Sequence, residues 1–371
     1  MKKKLIALLA AVAMVFSLAA CGSTPDSVGT IGTVDITSGL YLLAQYDAYQ
    51  KAADLATSEQ DATDVKAFLK QTITVDADSG ETATVSDYVS QKTMENLETY
   101  AAIETRFEEL GGQLTAEEEA QADSYASQLM EQYGDTYKAN GIGLETLQRF
   151  ERILLKSTDL LDLVYGTNGE TPVSDADLTS HLENKMYKLA YYSIPLYNSS
   201  TYAFADDDQK ATMLRLAQAA ADSYNASAPA DAVRQFTAFH EVCSAALSGI
   251  YAVLDSTVPT DGTASLQTEL LSSSTLDSAF STEGSADTIR SLSFGQAAAV
   301  QYSSLSMMLA VRLDPLDEAA LDDVRAQVLA DMKSDELQDA LAAYGASMQH
   351  SLDSSAMGKL PARKIAAASS N

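Results

Sequence analysis

Side chains that could carry acid–base, nucleophilic or metal chemistry are few and scattered in this 371-residue sequence. His181, His240 and His350 are far apart, and none has the spacing to another histidine or to a cysteine that a zinc site requires. Cys243 falls in an apolar helical pattern with Phe239, which favours a small buried thiol over a nucleophile. Gly-x-Ser-x-Gly, His-Glu-x-x-His and Walker motifs are absent from the sequence. We therefore predict no metal and no cofactor, and we interpret the histidines as surface or helix-face residues.

Two short loops have the composition of ligand sites without their full patterns. Gly29 and Gly32 form a Gly-x-x-Gly sequence, but no lysine follows and no strand and helix alternation surrounds them, so a phosphate loop is not predicted. Asp76 and Asp78 precede Gly80 in an acidic turn, but the remaining oxygen ligands of an EF-hand loop are not in place. Both segments are interpreted as turns between short strands.

The first twenty residues have the three parts of a secretory signal. Lys2-Lys3-Lys4 is followed by an apolar run over residues 5–16 and by Leu18-Ala19-Ala20-Cys21. The last four residues resemble the bacterial lipobox. This resemblance implies cleavage after residue 20, lipidation of Cys21 and a protein tethered to the extracytoplasmic side of the cell membrane. A transmembrane anchor with an incidental cysteine is the alternative, but the apolar run is short for a bilayer.

The charge balance excludes one large class of partners. The chain has 24 basic and 52 acidic residues, a formal net charge of −28. Removing residues 1–20 would remove three lysines and no acid, which leaves a net charge of about −31. Such a surface repels nucleic acid, and no basic stripe with interleaved aromatic residues occurs in the sequence. The length predicts two domains.

Hydrophobic periodicity predicts a run of helices over residues 37–165. Thr37 is predicted to cap the first helix, after an extended pair in residues 28–37. Two strands are expected at 72–75 and 82–85. A long helix stops before Gly111-Gly112, and a capping box, Thr-Ala-Glu-Glu at 115–118, starts another helix that is expected to end at Gly134.

A change of pattern near residue 185 predicts the start of a second region. Ser174, with Asp177 three residues later, is typical of an N-cap with an acidic first turn. The following helix leads into a β-branched and aromatic run over residues 187–197, which predicts a strand. Further expectations are listed in chain order: helices from Asp206 and over 232–247, loops at 256–263 and 272–274, a strand near 306–314, and a last amphipathic helix over 316–344.

This joint resembles the linker helix and first strand of the parvulin domain in extracytoplasmic foldases of the SurA and PrsA type. In that family V-[ST]-D-x-[DE]-[IL] leads into R-A-x-H-I-L, and here residues 173–178 read Val-Ser-Asp-Ala-Asp-Leu. The order of elements is similar over nearly the whole mature chain. The resemblance implies a predominantly helical α+β fold. Its parts would be a signal peptide (1–20), a tether (21–27), a SurA-like helical chaperone domain (28–180 plus 316–366) and an inserted parvulin-like lobe (186–314).

The family's two active-site histidines have no counterpart in this sequence. The first falls at Tyr192 or Ser193, and the second falls near Met307 and Met308. The resemblance therefore implies a degenerate pocket at these four residues, although packing within a strand is the alternative for the methionine pair. We expect a membrane-anchored folding factor that binds unfolded exported proteins without isomerase turnover.

There are two alternatives to this function. An active peptidyl-prolyl isomerase with a divergent site is the first alternative, because isomerisation needs mainly a shaped, desolvated pocket. A solute-binding lipoprotein is the second. It predicts two α/β lobes with repeated strand and helix alternation, which the helical run over 37–165 contradicts.

Overall fold

The computed structural model describes residues 24–316 and 320–367. The predicted signal peptide and its lipidation site, Cys21, lie outside the described residues. The described chain is mostly helical with three small antiparallel sheets, which confirms the prediction of a predominantly helical α+β fold. None of the helices within these ranges combines the length and the apolarity that crossing a bilayer requires.

Twelve α-helices, a 3₁₀ helix (Ala362–Lys364) and nine strands lie within the described ranges. The helices are α1 (Ser38–Asp54), α2 (Val65–Phe68), α3 (Val85–Glu109), α4 (Ala116–Ala139), α5 (Leu144–Tyr165), α6 (Asp175–Lys185), α7 (Asp207–Asn225), α8 (Ala232–Ala252), α9 (Ser273–Ala279), α10 (Ser285–Arg290), α11 (Leu321–Ser347) and α12 (Ser354–Gly358). The strands are β1 (Ser27–Ile31), β2 (Val34–Thr37), β3 (Thr72–Asp76), β4 (Glu81–Thr84), β5 (Met186–Pro195), β6 (Gln267–Ser272), β7 (Ala297–Gln301), β8 (Ser306–Leu313) and β9 (His350–Leu352).

The chain divides into two compact units. The first unit ends at Val164 and resumes at Asp335, and the second runs over Tyr165–Ser334. The domain assignment from the sequence, 28–180 plus 316–366 around an inserted 186–314, stays a prediction about which parts fold independently.

Local signals placed most helix starts in the first unit correctly. The Thr37 hydroxyl accepts a hydrogen bond from the Leu40 N–H, and Thr115 forms the predicted capping box with Glu118. The expected helix end at Gly134 was wrong, because α4 continues to Ala139. Gly134 is buried inside the helix, where an added Cβ would lie 3.2 Å from the sulfur of Met130, one turn earlier in the same helix.

The larger of the two sheets of the first unit joins strands from near the two ends of the described chain. Its strand order is β2-β1-β9, all antiparallel, and β9 was not predicted. Gly29 pairs with Leu352 at a φ of +116°, and a Cβ there would collide with the Ser351 carbonyl oxygen, so only glycine fits. Beside the sheet, α1, α2 and α3 contribute to an apolar cluster that includes Tyr49, Phe68 and Val89.

The second unit is built on a four-stranded antiparallel sheet with the order β6-β5-β8-β7. Helices α7 and α8 cover one face, and α9 and α10 cover the other. The expected loop at 272–274 was wrong: β6 pairs with β5 up to Ser272, whose hydroxyl then caps α9 by accepting from the Thr275 N–H. The three serines at 272–274 have the composition of a loop, although Ser272 ends a strand and caps the following helix. This polar composition explains why the strand was not predicted.

Candidate functional site

The four residues predicted to line a degenerate pocket lie on neighbouring strands but face opposite sides of the sheet. Ser193 pairs with Met308, and Ile194 pairs with Met307. Side chains alternate along a strand, so Tyr192 and Met307 join the core under α7 and α8, whereas Met308 joins the core under α9 and α10. The structure therefore brings these residues together as two pairs and not as one pocket.

Both methionines are packing residues. Met307 is 0% exposed and Met308 is 4% exposed. A thioether is at best a weak hydrogen-bond acceptor and carries no proton to transfer. Their position at the centre of two cores accounts for the apolar pair without any chemical role.

Tyr192 makes a contact that the sequence did not predict. Its ring is 1% exposed and stacks beside Phe239, with ring centroids 6.2 Å apart. Its hydroxyl oxygen lies 2.5 Å from Nδ1 of His240, an exposed residue on α8. Burial raises the pKa of Tyr192, with a smaller contribution from Cys243, so the phenol keeps its proton and can donate it to the imidazole.

This Tyr192–His240 pair is a contact that sequence analysis missed. His240 was interpreted as a helix-face histidine, and it does lie on a helix. No local signal links two residues 48 positions apart. Only the packing of α8 on the sheet brings the imidazole over the strand that carries Tyr192.

The opposite face carries a pair of hydroxyl groups. Ser193 Oγ lies 3.1 Å from the Tyr302 hydroxyl, and the Tyr302 ring packs 5.4 Å from Phe280. Nearby, Tyr191 donates to the Glu269 carboxylate at 3.0 Å, and burial followed by this carboxylate raises the pKa of Tyr191 to about 12. Serine and tyrosine hydroxyls do not ionise near neutral pH, so these contacts orient side chains and supply no general base.

The remaining candidates for chemistry have structural partners. His181 Nε2 lies 2.6 Å from the Asp331 carboxylate, and His350 Nε2 lies 3.5 Å from that of Glu98. Cys243 is fully buried, and burial raises the pKa of its thiol to about 12, which confirms a packing residue. In the part of the chain that the structure describes, no three histidine, cysteine, aspartate or glutamate side chains cluster closely enough to hold a metal ion.

An exposed patch of large apolar side chains, here called the aromatic patch, lies at one end of the same sheet. It consists of Tyr202, Phe204 and Leu305, which are 76%, 69% and 48% exposed. Leu196 joins its two segments, because its N–H donates to the Leu305 carbonyl at 2.8 Å and its carbonyl accepts from Ala205 at 2.9 Å. Exposed apolar side chains that are grouped on a surface are candidates for contact sites.

The loop that carries Tyr202 and Phe204 is held by one buried asparagine. Asn198 Oδ1 accepts hydrogen bonds from the N–H groups of Ser200 and Thr201, and its Nδ2 donates to the Leu254 carbonyl at 2.9 Å. Tyr202 follows with a φ of +57°, a left-handed conformation that costs a bulky residue about 1–2 kcal/mol. The hydrogen bonds of Asn198 therefore fix the backbone of the loop. The backbone of Tyr202 is mildly strained, and local stability does not explain this conformation.

The first unit contains a cleft of about 1050 Å³, here called the basic cleft. Its lining includes four basic side chains and no acidic one. Two buried amides fix the segment that forms one wall: Gln45 donates to the Leu360 carbonyl at 3.2 Å, and Asn140 both donates to and accepts from the Ala366 backbone at 2.9 Å. The residues that line it are Thr24, Leu42, Gln45, Lys66, Ala139, Asn140, Gly141, Gly358, Lys359, Leu360, Pro361, Arg363, Lys364 and Ile365.

Comparisons with known proteins find similarity among solved structures only. No family model matches this chain, and no curated protein matches it either. Among solved structures, it is similar to the foldase protein PrsA from Streptococcus pneumoniae strain Canada MDR_19A. The TM-score is 0.38 at 12% identity, and the match covers 77% of this chain and 97% of that chain. A likeness this weak carries no conclusion about function, which is therefore argued from the residues of this chain.

Proposed function

We propose that this protein is an extracytoplasmic folding factor that holds unfolded segments of exported proteins on an exposed aromatic surface. The observation that carries the proposal is the aromatic patch, with Tyr202 at 76% and Phe204 at 69% exposure. Aromatic side chains supply large contact areas at low conformational cost, and they bind apolar stretches of many sequences. An unfolded polypeptide can bind such a surface, because its backbone can change conformation to contact the three exposed side chains.

The proposal includes an inserted parvulin-like lobe that has lost proline isomerisation. In its support, Ser193, Met307 and Met308 make only packing or hydroxyl contacts, which leaves the lobe without paired imidazoles. The first unit would be the SurA-like or PrsA-like helical chaperone domain that the sequence resemblance implies. Neither nucleic acid nor a cofactor is part of this function.

One contact supports a second candidate, an isomerase with a divergent site. Nδ1 of His240 lies 2.5 Å from the hydroxyl oxygen of Tyr192, one of the two residues, with Ser193, expected where the family carries its first histidine. A single imidazole beside a phenol could organise hydrogen bonds around a proline peptide. We place this candidate second because Tyr192 is almost fully buried and its ring is stacked in the core.

The test of the first candidate is suppression of aggregation of a reduced, unfolded protein. Tyr202→Ser combined with Phe204→Ser should abolish most of the suppression while leaving thermal unfolding of the lobe unchanged, because both side chains are exposed. Tyr125→Ser combined with Tyr133→Ser is the matched control, since both tyrosines are 49% exposed but lie on α4. Equal suppression by all three proteins would refute the proposed role of the patch.

The proposal also places the protein at the cell membrane through a lipid on Cys21. Its support is the basic start, the apolar run and the Leu-Ala-Ala-Cys sequence at 18–21. Two or more acyl chains tether a protein stably, whereas one does so only marginally. Cys21→Ser should leave the chain unprocessed or release it from the membrane fraction. A mature wild-type protein that begins at any residue other than 21 would contradict the anchor.

A further inference from the structure

The basic cleft is chemically unlike the rest of this acidic chain. The sequence has 52 acidic residues against 24 basic ones, yet the cleft lining holds Lys66, Lys359, Arg363 and Lys364 and no acid. None of these four side chains lies within 4.0 Å of a carboxylate among residues 24–316 and 320–367. Their charges are therefore not neutralised by the described part of the chain and are available to an external anion.

The wall that carries three of these charges is fixed in position. Asn140 and Gln45 hold the backbone at Ala366 and Leu360, and the Lys364 ammonium donates to the Lys359 carbonyl at 3.1 Å. Between these points the chain forms a 3₁₀ turn at Ala362–Lys364. The cations thus have a common, defined location at the cleft.

The cleft also lies next to the proposed membrane anchor. Thr24 is one of its lining residues and is three positions after Cys21. Three residues of fully extended chain span at most about 11 Å. A lipid on Cys21 therefore brings the edge of the cleft close to the headgroup layer, at a distance comparable with the Debye length of about 8 Å at physiological salt.

From this placement we infer that the basic cleft contacts the phosphodiester headgroups of anionic phospholipids in the membrane that holds the protein. The inference rests on the lipid anchor proposed above. Basic side chains within a Debye length of an anionic surface are attracted to it, while the strongly acidic remainder of the chain is repelled. The two effects together turn the side of the first unit that carries the cleft toward the bilayer. An acidic polypeptide would satisfy the same charges, but nothing about its chemistry requires the cleft to lie beside the anchor.

Quenching of a tryptophan reporter tests this contact, because the natural chain contains no tryptophan. Gly358→Trp places the reporter on the cleft lining, where no atom lies within 4 Å of the added Cβ. Ala120→Trp is the control, on the exposed acidic start of α4. The acylated full-length mature protein is reconstituted into vesicles of phosphatidylcholine, with or without phosphatidylglycerol, that contain a lipid with a nitroxide on its headgroup.

The Gly358→Trp reporter should be quenched at least about twofold more strongly when phosphatidylglycerol is present, and high salt should remove the difference. Lys359→Glu with Arg363→Glu and Lys364→Glu should abolish the lipid dependence, and Lys66→Glu alone should reduce it. The Ala120→Trp reporter should not distinguish the two vesicles. Equal quenching of the cleft reporter in both vesicles would overturn the inference. Release of the quenching by soluble glycerol phosphate or by an acidic peptide would also overturn it, in favour of a free ligand.

Failure of the anchor gives a different result from failure of the cleft contact. A protein that does not float with either kind of vesicle lacks the lipid, which contradicts the proposed anchoring itself. A protein that floats with both vesicles without a difference in quenching keeps the anchor and refutes only the headgroup contact.

Discussion

The aromatic patch and the basic cleft present opposite chemistries for binding. The patch exposes Tyr202 and Phe204 on a loop fixed by Asn198, whereas the cleft lines a concave surface with cations and amides. Apolar contacts persist as salt rises, whereas contacts between exposed charges weaken. The difference teaches that the two proposed contacts, of the patch with unfolded polypeptide and of the cleft with an anionic membrane, should be distinguishable by their response to ionic strength.

The largest expected effect concerns the units that carry these two surfaces. Deleting 316–371 should abolish cooperative unfolding of the first helices, because the deletion removes β9, which pairs with β1, and the segment that Gln45 and Asn140 hold. Deleting 186–314 with a short linker should leave a folded helical protein. Circular dichroism during thermal unfolding measures both. A fragment of residues 28–180 that is stable and unfolds cooperatively on its own would contradict this prediction, because the first helices would then fold without residues 316–371.

A smaller but still large effect is expected in the core behind the patch. Tyr192→Ala removes a buried aromatic ring and should lower the free energy of unfolding by about 3–5 kcal/mol. Tyr192→Phe keeps the ring, removes the hydroxyl that contacts His240 and Ser244, and should cost about 1 kcal/mol. Urea denaturation distinguishes the two variants. Equal losses in both would mean that the contact with His240, and not packing, fixes the tyrosine.

A substitution that loosens the wall of the basic cleft should lower the free energy of unfolding by less. Asn140→Ala removes two hydrogen bonds to the Ala366 backbone and should reduce the free energy of unfolding by about 1–3 kcal/mol. Hydrogen exchange of residues 360–367 should accelerate in this variant. Asn184→Ala is the matched control, because Asn184 is exposed and donates one hydrogen bond to Ser180 within its own helix. The account of the cleft wall fails if exchange in that segment is the same in both variants.

The smallest expected effect is the alkaline behaviour of Cys243. Its pKa is raised by burial to about 12, so the stability that the protonated thiol contributes is present below its unfolded pKa and is lost as pH rises toward the folded value. The native thiol should resist iodoacetamide at about pH 9, where a free thiol is largely ionised. Ser199→Cys supplies an exposed thiol for comparison, and peptide mass spectrometry measures both. Rapid native alkylation of Cys243 would show that the core under α8 opens readily.

The sequence predicted the features of this fold that depend on neighbours along the chain. Thr37, Thr115 and Ser174 cap helices as expected, because a capping hydroxyl bonds to a backbone N–H three residues away. Their helices began where the hydroxyl, acidic and apolar residues indicated. The prediction at Gly134 was wrong because a glycine does not by itself end a helix, and the residues after it continue α4 to Ala139.

The features that the sequence did not predict all depend on distant parts of the chain. Strands β6 and β9 are short and gain their stability from pairing with β5 and β1, which no local pattern reveals. The pairing of Tyr192 with His240 and the cations around the cleft likewise come from separate segments. The sequence also could not show on which face of the sheet each residue of the expected pocket lies, because this depends on the register between β5 and β8.

The most direct test of the central claim is an exchange experiment on proline peptides. We propose that the lobe binds unfolded chains but does not catalyse their isomerisation, which has a barrier of about 18–20 kcal/mol. NMR exchange spectroscopy on a panel of X-Pro peptides should show binding that Tyr202→Ser with Phe204→Ser removes, with cis–trans exchange no faster than in buffer. Exchange well above the uncatalysed rate that disappears in Tyr192→Phe, His240→Ala, Ser193→Ala or Met308→Leu would contradict the account and establish the isomerase instead.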